Sequence, residues 1–345
     1  MTVENRVGGR LLLVSCGGTI SSIAGGERGG PGPVAPRLGA AELSAAIPEL
    51  ATVAKIDPVT FSTVPSSHLH LDDVLALHRF IVANLRTGGD HAGIVVSIGT
   101  DTLEEVAWAL DLLWDLDLPL VVTGALRNPT LPGADGSANL VAAAVTAMSG
   151  EARGCGVLAV LNDEIHLAAH VRKSHTGNVA SFVSPNAGPI GWVSESVARI
   201  LLRPAFRRTL DVVPVSTEGA AVALIAVSLG EDGRLLDAVD SCGYHGVVID
   251  SFGGGHLPLR LVTSAGFEQL LRTRPVVVVS RCWSGELLRS TYDFAGSEID
   301  LASRGVIPGG ALDGPRARIL LSLLLAGGVE PGAVADAFTL HAALR

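Results

Sequence analysis

Two threonines stand where apolar runs break into glycine turns: residues 11–14 lead into Gly17-Gly18-Thr19-Ile20, and residues 94–98 lead into Gly99-Thr100-Asp101-Thr102. A strand buried on both faces of a parallel sheet reads as an unbroken apolar run, and its carboxyl end is where open α/β sheets bind ligands. Glycine there admits a tight turn and brings main-chain N–H groups close to a ligand, while a hydroxyl beside it is a possible nucleophile. Two such turns in one domain describe a site built from two strand ends. The same residues also have a plainer reading, because Gly-Thr after a strand is common turn chemistry and an aspartate such as Asp101 commonly serves as a helix N-cap.

The elements that must position these turns follow from periodicity. Apolar runs at 11–14, 59–64, 93–98, 118–123 and 156–161 alternate with stretches of helical spacing at 71–85 and 102–114. That alternation predicts an α/β fold with a larger N-terminal parallel-sheet domain. Asp101 stands as the N-cap of the second helix, with Glu104 and Glu105 complementing the dipole of its first turn. Residues 24–36 carry Gly25, Gly26, Gly29, Gly30 and Gly32 with Pro31, Pro33 and Pro36, and read either as a lid over the site or as a plain surface loop. The rhythm is lost after 197, where Arg199, Arg203, Arg207 and Arg208 mingle with Pro204 and Pro214. The expected division is a catalytic domain over 1–197, a linker over 198–219 and a smaller C-terminal α/β domain over 220–345, with strands at 220–227, 246–249 and 276–280 and a final helix at 315–326.

At 345 residues and 48% hydrophobic content the chain can bury two cores, and its net charge of −9 argues against a nucleic-acid partner, which would need clustered lysine and arginine to neutralise phosphates. A small or zwitterionic ligand fits better. Cys16, Cys155, Cys242 and Cys282 show no paired spacing and read as reduced and mostly buried, so neither a disulfide framework nor a zinc site is expected. The polar opening residues and the shortness of the apolar run after them give neither a signal-peptide core nor a membrane span, and the cytoplasm is the default location. Several motif classes are missing. Neither Gly17-Gly18 nor Gly253-Gly254-Gly255 continues as a phosphate-binding loop, no serine sits in a G-x-S-x-G elbow, and there is no H-E-x-x-H. His170 and His175 have no carboxylate or cysteine to complete a metal set, so no metal and no cofactor are expected. Threonine chemistry is what remains.

With Cys16-Gly17-Gly18-Thr19-Ile20, the block from Ser97 through Gly99-Thr100-Asp101-Thr102 to Glu104-Glu105, then Thr123-Gly124-Ala125-Leu126-Arg127 and Ala134-Asp135-Gly136, the chain resembles the bacterial-type L-asparaginase/glutaminase family. The resemblance runs along nearly the whole chain. It implies a cofactor-free amidohydrolase that converts L-asparagine to L-aspartate and ammonia, with a larger N-terminal and a smaller C-terminal domain, assembled as a homotetramer of intimate dimers. Residue by residue, it implies Thr19 as the nucleophile and Thr100, Asp101 and Lys173 as a second, buried triad. It implies Gly18, Ser67, Gly99 and Asp101 around the substrate, with Ser67 on the α-carboxylate, and Glu298 reaching the ammonium group across the dimer interface.

Three positions depart from the family pattern. The mobile loop lacks the tyrosine that hydrogen-bonds the nucleophile, with Pro33 near its place; His68 stands for a glutamine beside Ser67; and His256 stands for an asparagine in the C-terminal domain. They leave open which group activates Thr19 and whether asparagine, glutamine or another β-amide is preferred. A sensor protein that keeps the pocket without turnover is the rival of another class. The amidase subunit of a transfer-RNA-dependent amidotransferase is disfavoured by the acidic charge.

An unactivated amide needs a nucleophile, proton transfers and a home for the oxyanion. Lys173 can serve Thr100 as a base only in its neutral form, which burial favours and the Asp101 carboxylate opposes. Main-chain N–H groups at the two turns are natural oxyanion donors. The substrate's ammonium calls for a carboxylate, Asp101 or Glu298, and its carboxylate calls for the hydroxyl and N–H groups at Ser67 and Asp101. Cys16 reads as buried filler rather than as a nucleophile.

Overall fold

The computed structural model describes residues 9–24, 34–205 and 207–342. Residues 1–209 and 210–345 form separate compact units. In the first, the strands are β1 (Arg10–Ser15), β2 (Ser22–Ala24), β3 (Val34–Pro36), β4 (Lys55–Thr60), β5 (His91–Ser97), β6 (Leu120–Thr123), β7 (Val157–Leu161), β8 (Glu164–Leu167), β9 (Arg172–Lys173), β10 (Phe182–Val183), β11 (Gly191–Ser194) and β12 (Val197–Ile200). The helices are α1 (Ala40–Ala46), α2 (Leu50–Val53), α3 (Leu71–Thr87), α4 (Leu103–Leu113) and α5 (Gly136–Ala147).

Eight strands form one sheet in the order β12-β11-β8-β7-β6-β5-β1-β4. The five from β4 to β7 are parallel, and β8, β11 and β12 extend the sheet in antiparallel fashion. The chain leaves β1 toward β4 on one side and then returns to β5 on the other. The strand order therefore reverses between β1 and β5, which is where an open α/β sheet presents its crevice. Both β1 and β5 are buried almost throughout, which is why each reads as an apolar run. Leu11, Leu13, Val95, Val121, Leu140 and Leu158 belong to one continuous core beneath the sheet.

The second unit stacks β13 (Val222–Ala226), β14 (Gly246–Ser251), β15 (Val276–Ser280) and β16 (Ile307–Pro308) in a parallel sheet. Its helices are α6 (Arg234–Ser241), α7 (Leu259–Val262), α8 (Ala265–Thr273), α9 (Glu298–Ser303), α10 (Gly314–Ala326) and α11 (Pro331–His341). Val247, Ile249, Val276, Phe267 and Leu270 anchor its core. The fold is α/β, a larger N-terminal mostly parallel sheet followed by a smaller C-terminal α/β unit.

Three expectations are corrected. The strand sought at 59–64 lies at Lys55–Thr60, because an edge strand tolerates the Lys55, Asp57 and Pro58 that the apolar pattern rejects. The stretch read as linker from 198 begins with sheet, since Val197–Ile200 pairs with β11, and the first unit runs to Thr209. The N-cap of α4 is Thr102, not Asp101. Most of the proposed lid over 24–36, with Pro33, lies outside the described residues; what is described is its stem, the antiparallel β2–β3 ribbon.

Candidate active site

The turns after β1 and β5 touch. Gly17 and Gly18 adopt φ of +84° and +87°, a region in which side chains are strained. A β-carbon on Gly18 would lie 2.3 Å from the amide nitrogen of Gly99, and one on Gly99 would lie 2.6 Å from Ser66 Oγ. Glycine is required at these positions because the two backbones pass at contact distance, with the Ser66 turn against them. The end of β6 joins in the same way: a β-carbon on Gly124 would meet Ile98 O at 2.5 Å and Thr100 Cγ2 at 3.2 Å. Three neighbouring strand ends thus form one wall. Thr19, half-buried, opens a single 3₁₀ turn over Thr19–Ser21; the hydroxyl of Ser21 donates back to Gly17 O at 3.3 Å and that of Ser22, where β2 begins, to Gly18 O at 2.9 Å.

Thr100 is 6% exposed, and its hydroxyl oxygen accepts a hydrogen bond from Lys173 Nζ at 2.9 Å. The same ammonium lies 3.2 Å from Asp101 Oδ1. Asp101 does not cap α4: its carboxylate lies against Lys173 Nζ, and Thr102, the N-cap, turns its hydroxyl to Ser66 O at 3.1 Å. Lys173 arrives from β9, a two-residue strand paired with β10, and its main-chain N–H donates to Glu104 Oε2.

The turn after β6 is organised by Asp135, whose carboxylate accepts from the N–H groups of Leu126 at 3.0 Å and Arg127 at 2.8 Å and from Asn139 Nδ2 at 3.1 Å. Ser67 lies beside Ser66 on the short 3₁₀ turn and is exposed, as is His68. Burial pushes the Cys16 thiol up to about 12, which leaves no thiolate at neutral pH and removes it as a nucleophile. His175 Nδ1 accepts from the N–H groups of Gly177 and Asn178 at 3.0 Å each, a turn-forming role.

The structure therefore gathers Gly18, Thr19, Ser67, Gly99, Thr100, Asp101 and Lys173 at one end of the first unit's sheet. Glu298 belongs to the second unit. Its Oε1 accepts from the N–H groups of Thr291 at 2.6 Å and Tyr292 at 2.7 Å, and its Oε2 lies 3.1 Å from His256 Nε2. Burial alone would raise its pKa. Main-chain hydrogen bonds from Tyr292, Glu298 itself and Thr291, together with the His256 imidazole, outweigh that and hold the carboxyl below its usual range. Tyr292 and Phe294 pack edge-on against the His256 ring, each with centroids 5.1 Å away.

Glu104 and Ser66 were not singled out from sequence as parts of the site. The signal for Glu104 was its place four residues after Thr100. That spacing equally suits a residue complementing the helix dipole. Nothing in the sequence distinguishes Ser66 from Ser67.

Residues 10–205 match the family model described as Asparaginase, N-terminal, and residues 221–338 match the Glutaminase/Asparaginase C-terminal domain. The L-asparaginase of Bacillus licheniformis is 33% identical over 323 residues, covering 92% of this chain and 95% of that protein. A probable periplasmic L-asparaginase of Haemophilus influenzae is 29% identical, covering 95% of this chain and 92% of its own. The crystal structure of a probable cytoplasmic L-asparaginase from Campylobacter jejuni superposes with a TM-score of 0.84 at 26% identity, over 96% of this chain and 99% of that one. With both family domains matched in order and threonine-bearing turns meeting where β1 and β5 end, the chain belongs to the asparaginase family.

Proposed function

We propose that this protein hydrolyses the side-chain amide of L-asparagine to L-aspartate and ammonia, with Thr19 as nucleophile and with Thr100, Lys173 and Asp101 moving protons. The observation that carries the reading is the close approach of the Gly18–Thr19 turn to the Gly99–Thr100 turn, which brings the segment bearing Thr19 against the Thr100–Lys173 pair in a chain of this family. Thr19 Oγ1 attacks the amide carbon, and its proton is taken up by the Thr100, Lys173 and Asp101 group and passed on to the departing amide nitrogen. The oxyanion that forms is met by main-chain N–H groups of the two glycine turns, an effect worth about 3 kcal/mol per well-aimed donor. Protonation of the amide nitrogen releases ammonia and leaves an ester on Thr19, and water then cleaves the ester to aspartate.

The α-carboxylate is assigned to Ser67 and the main chain at Asp101, and the α-ammonium to Asp101 and to Glu298 of a second copy in a homotetramer. Glu298, low in pKa and held by Thr291 and Tyr292, is charged and fixed before any cation arrives. The proposed location is the cytoplasm.

A second reading has water, activated by Thr100 and Lys173, attacking the amide directly. It is favoured by the fact that the lysine touches Thr100. Ammonia release from L-asparagine, L-glutamine and D-asparagine by purified protein tests the substrate assignment. The expected order has L-asparagine fastest, and absence of release from all three, with aspartate still bound, would replace the enzyme reading with a sensor. Thr19→Ala and Thr100→Ala are each expected to abolish nearly all release in a folded protein.

A further inference from the structure

We infer that Glu104 is a positioning residue for Lys173, holding its main chain while Thr100 and Asp101 hold its ammonium. The inference rests on the proposal that Lys173 acts on Thr100. Lys173 is carried by a strand of two residues, and the β9–β10 ladder has only the pairs Lys173 with Phe182 and Arg172 with Val183. So short a ribbon has little rigidity of its own. On either side of it, Val171 N–H donates to Leu167 O at the end of β8 at 3.0 Å, which ties the chain to the main sheet two residues ahead of Lys173, and Ser174 Oγ donates to Ser181 O at 2.8 Å within the ribbon's own turn.

The contact made by the Lys173 N–H itself is to Glu104 Oε2 of α4. Glu104 sits in the first turn of α4, a helix anchored by buried Leu103, Val106, Ala107 and Leu110. Thr100, Asp101 and Glu104 thus lie within one short stretch entering α4, and all three reach the same lysine: Oγ1 and Oδ1 at Nζ, Oε2 at the main-chain nitrogen. A lysine stem is long and freely rotating. With the main chain fixed relative to α4, the remaining search for Thr100 Oγ1 is confined to the side chain.

A carboxylate in the first turn of a helix also favours the helix dipole. That role alone requires no acceptor directed at Lys173, and it predicts a loss of stability without a selective loss of turnover. The experiment measures kcat, KM and thermal stability on L-asparagine for Glu104→Ala and Glu104→Gln, each in the wild-type and Lys173→Met backgrounds. Displacing a catalytic group by about 1 Å costs on the order of 100-fold in rate. Glu104→Ala is expected to lower kcat by roughly 10- to 100-fold with KM within about 3-fold, and Glu104→Gln, which keeps an acceptor oxygen, to recover most of that loss. In the Lys173→Met background the further effect of Glu104→Ala is expected to fall below about 3-fold, since the residue being positioned is gone.

The proposal is overturned if Glu104→Ala leaves kcat within about 3-fold, if Glu104→Gln loses as much as alanine, or if the full effect persists without Lys173. Normal turnover by Lys173→Met alone would overturn the reading of Lys173 itself, and this proposal with it, whatever the Glu104 variants do. Should Glu104→Ala not fold, Glu104→Asp, which withdraws the carboxylate by one methylene, carries the same kcat test, and unchanged kcat there refutes the proposal.

Discussion

Replacing Lys173 with methionine keeps the unbranched apolar stem of the side chain out to the position of Cε and removes the terminal nitrogen with its donors. The structure separates what this does to the fold from what it does to the chemistry. Lys173 loses an ion pair with Asp101 at 3.2 Å, but the Asp101 side chain is 69% exposed, so solvent screens the pair to below about 1 kcal/mol. The hydroxyl of buried Thr100 loses one donor, a further cost of about 1 kcal/mol. Stability is therefore expected to fall by about 2 kcal/mol at most, a shift of roughly 4–8 °C in Tm for a unit of this size. Proton transfer by a positioned side chain is worth about 10²–10⁴ in rate, or roughly 3–5.5 kcal/mol of activation free energy. The assay pairs kcat for ammonia release from L-asparagine with thermal unfolding of the same preparation. A fully folded Lys173→Met that retains more than about one-tenth of wild-type kcat would refute the assignment. So would a loss of activity that follows the loss of folded protein across temperature.

Other outcomes follow from the same geometry. Gly18→Ala forces a side chain into φ of +87° and places its β-carbon 2.3 Å from Gly99 N, so activity should collapse and Tm should fall, and normal kinetics would show that the two turns do not need their contact. Burial holds the His166 imidazole at about 4, below the ~6.5 of an unfolded chain. Because the unfolded state binds the proton more readily, this contribution is fully present above pH ~6.5 and is lost as pH falls toward 4, in total about 3 kcal/mol. Denaturant unfolding of His166→Gln from pH 7 to pH 4 should show a flatter dependence than wild type, and parallel curves would contradict the burial argument. Glu298→Gln should raise KM for L-asparagine by about tenfold or more while leaving inhibition by succinate, which lacks the ammonium group, unchanged. Equal effects on both ligands would remove the ammonium role.

The parts of this molecule legible in the sequence were those whose environment imposes a simple pattern. Strands β1, β5 and β15 are buried on both faces and read as apolar runs, and their flanking glycines gave the turns. Strand β4 escaped because an edge position admits Lys55, Asp57 and Pro58, and β12 escaped because Arg199 lies on its exposed face within an arginine-rich stretch. Helix α11 was missed altogether. Within the site, Thr19 and Thr100 carried a local signal. Lys173 had none, since a lysine in a basic, histidine-flanked segment resembles surface until a two-residue ribbon delivers it to Thr100. It was reached through family resemblance. Asp101 was read as a helix cap because propensity cannot anticipate a lysine that competes for its carboxylate. Glu104 was read as a dipole residue for the same reason: its partner lies 69 residues away.

The most direct test of the central claim is to mix the enzyme with a slowly hydrolysed β-amide, quench in acid during turnover and map the modified peptide. An aspartyl-type ester is expected on Thr19, absent in Thr19→Ala and accumulating in Lys173→Met if water attack is slowed more than acylation. An ester on Thr100, or steady ammonia release with no ester on Thr19 at any quench time, would contradict it.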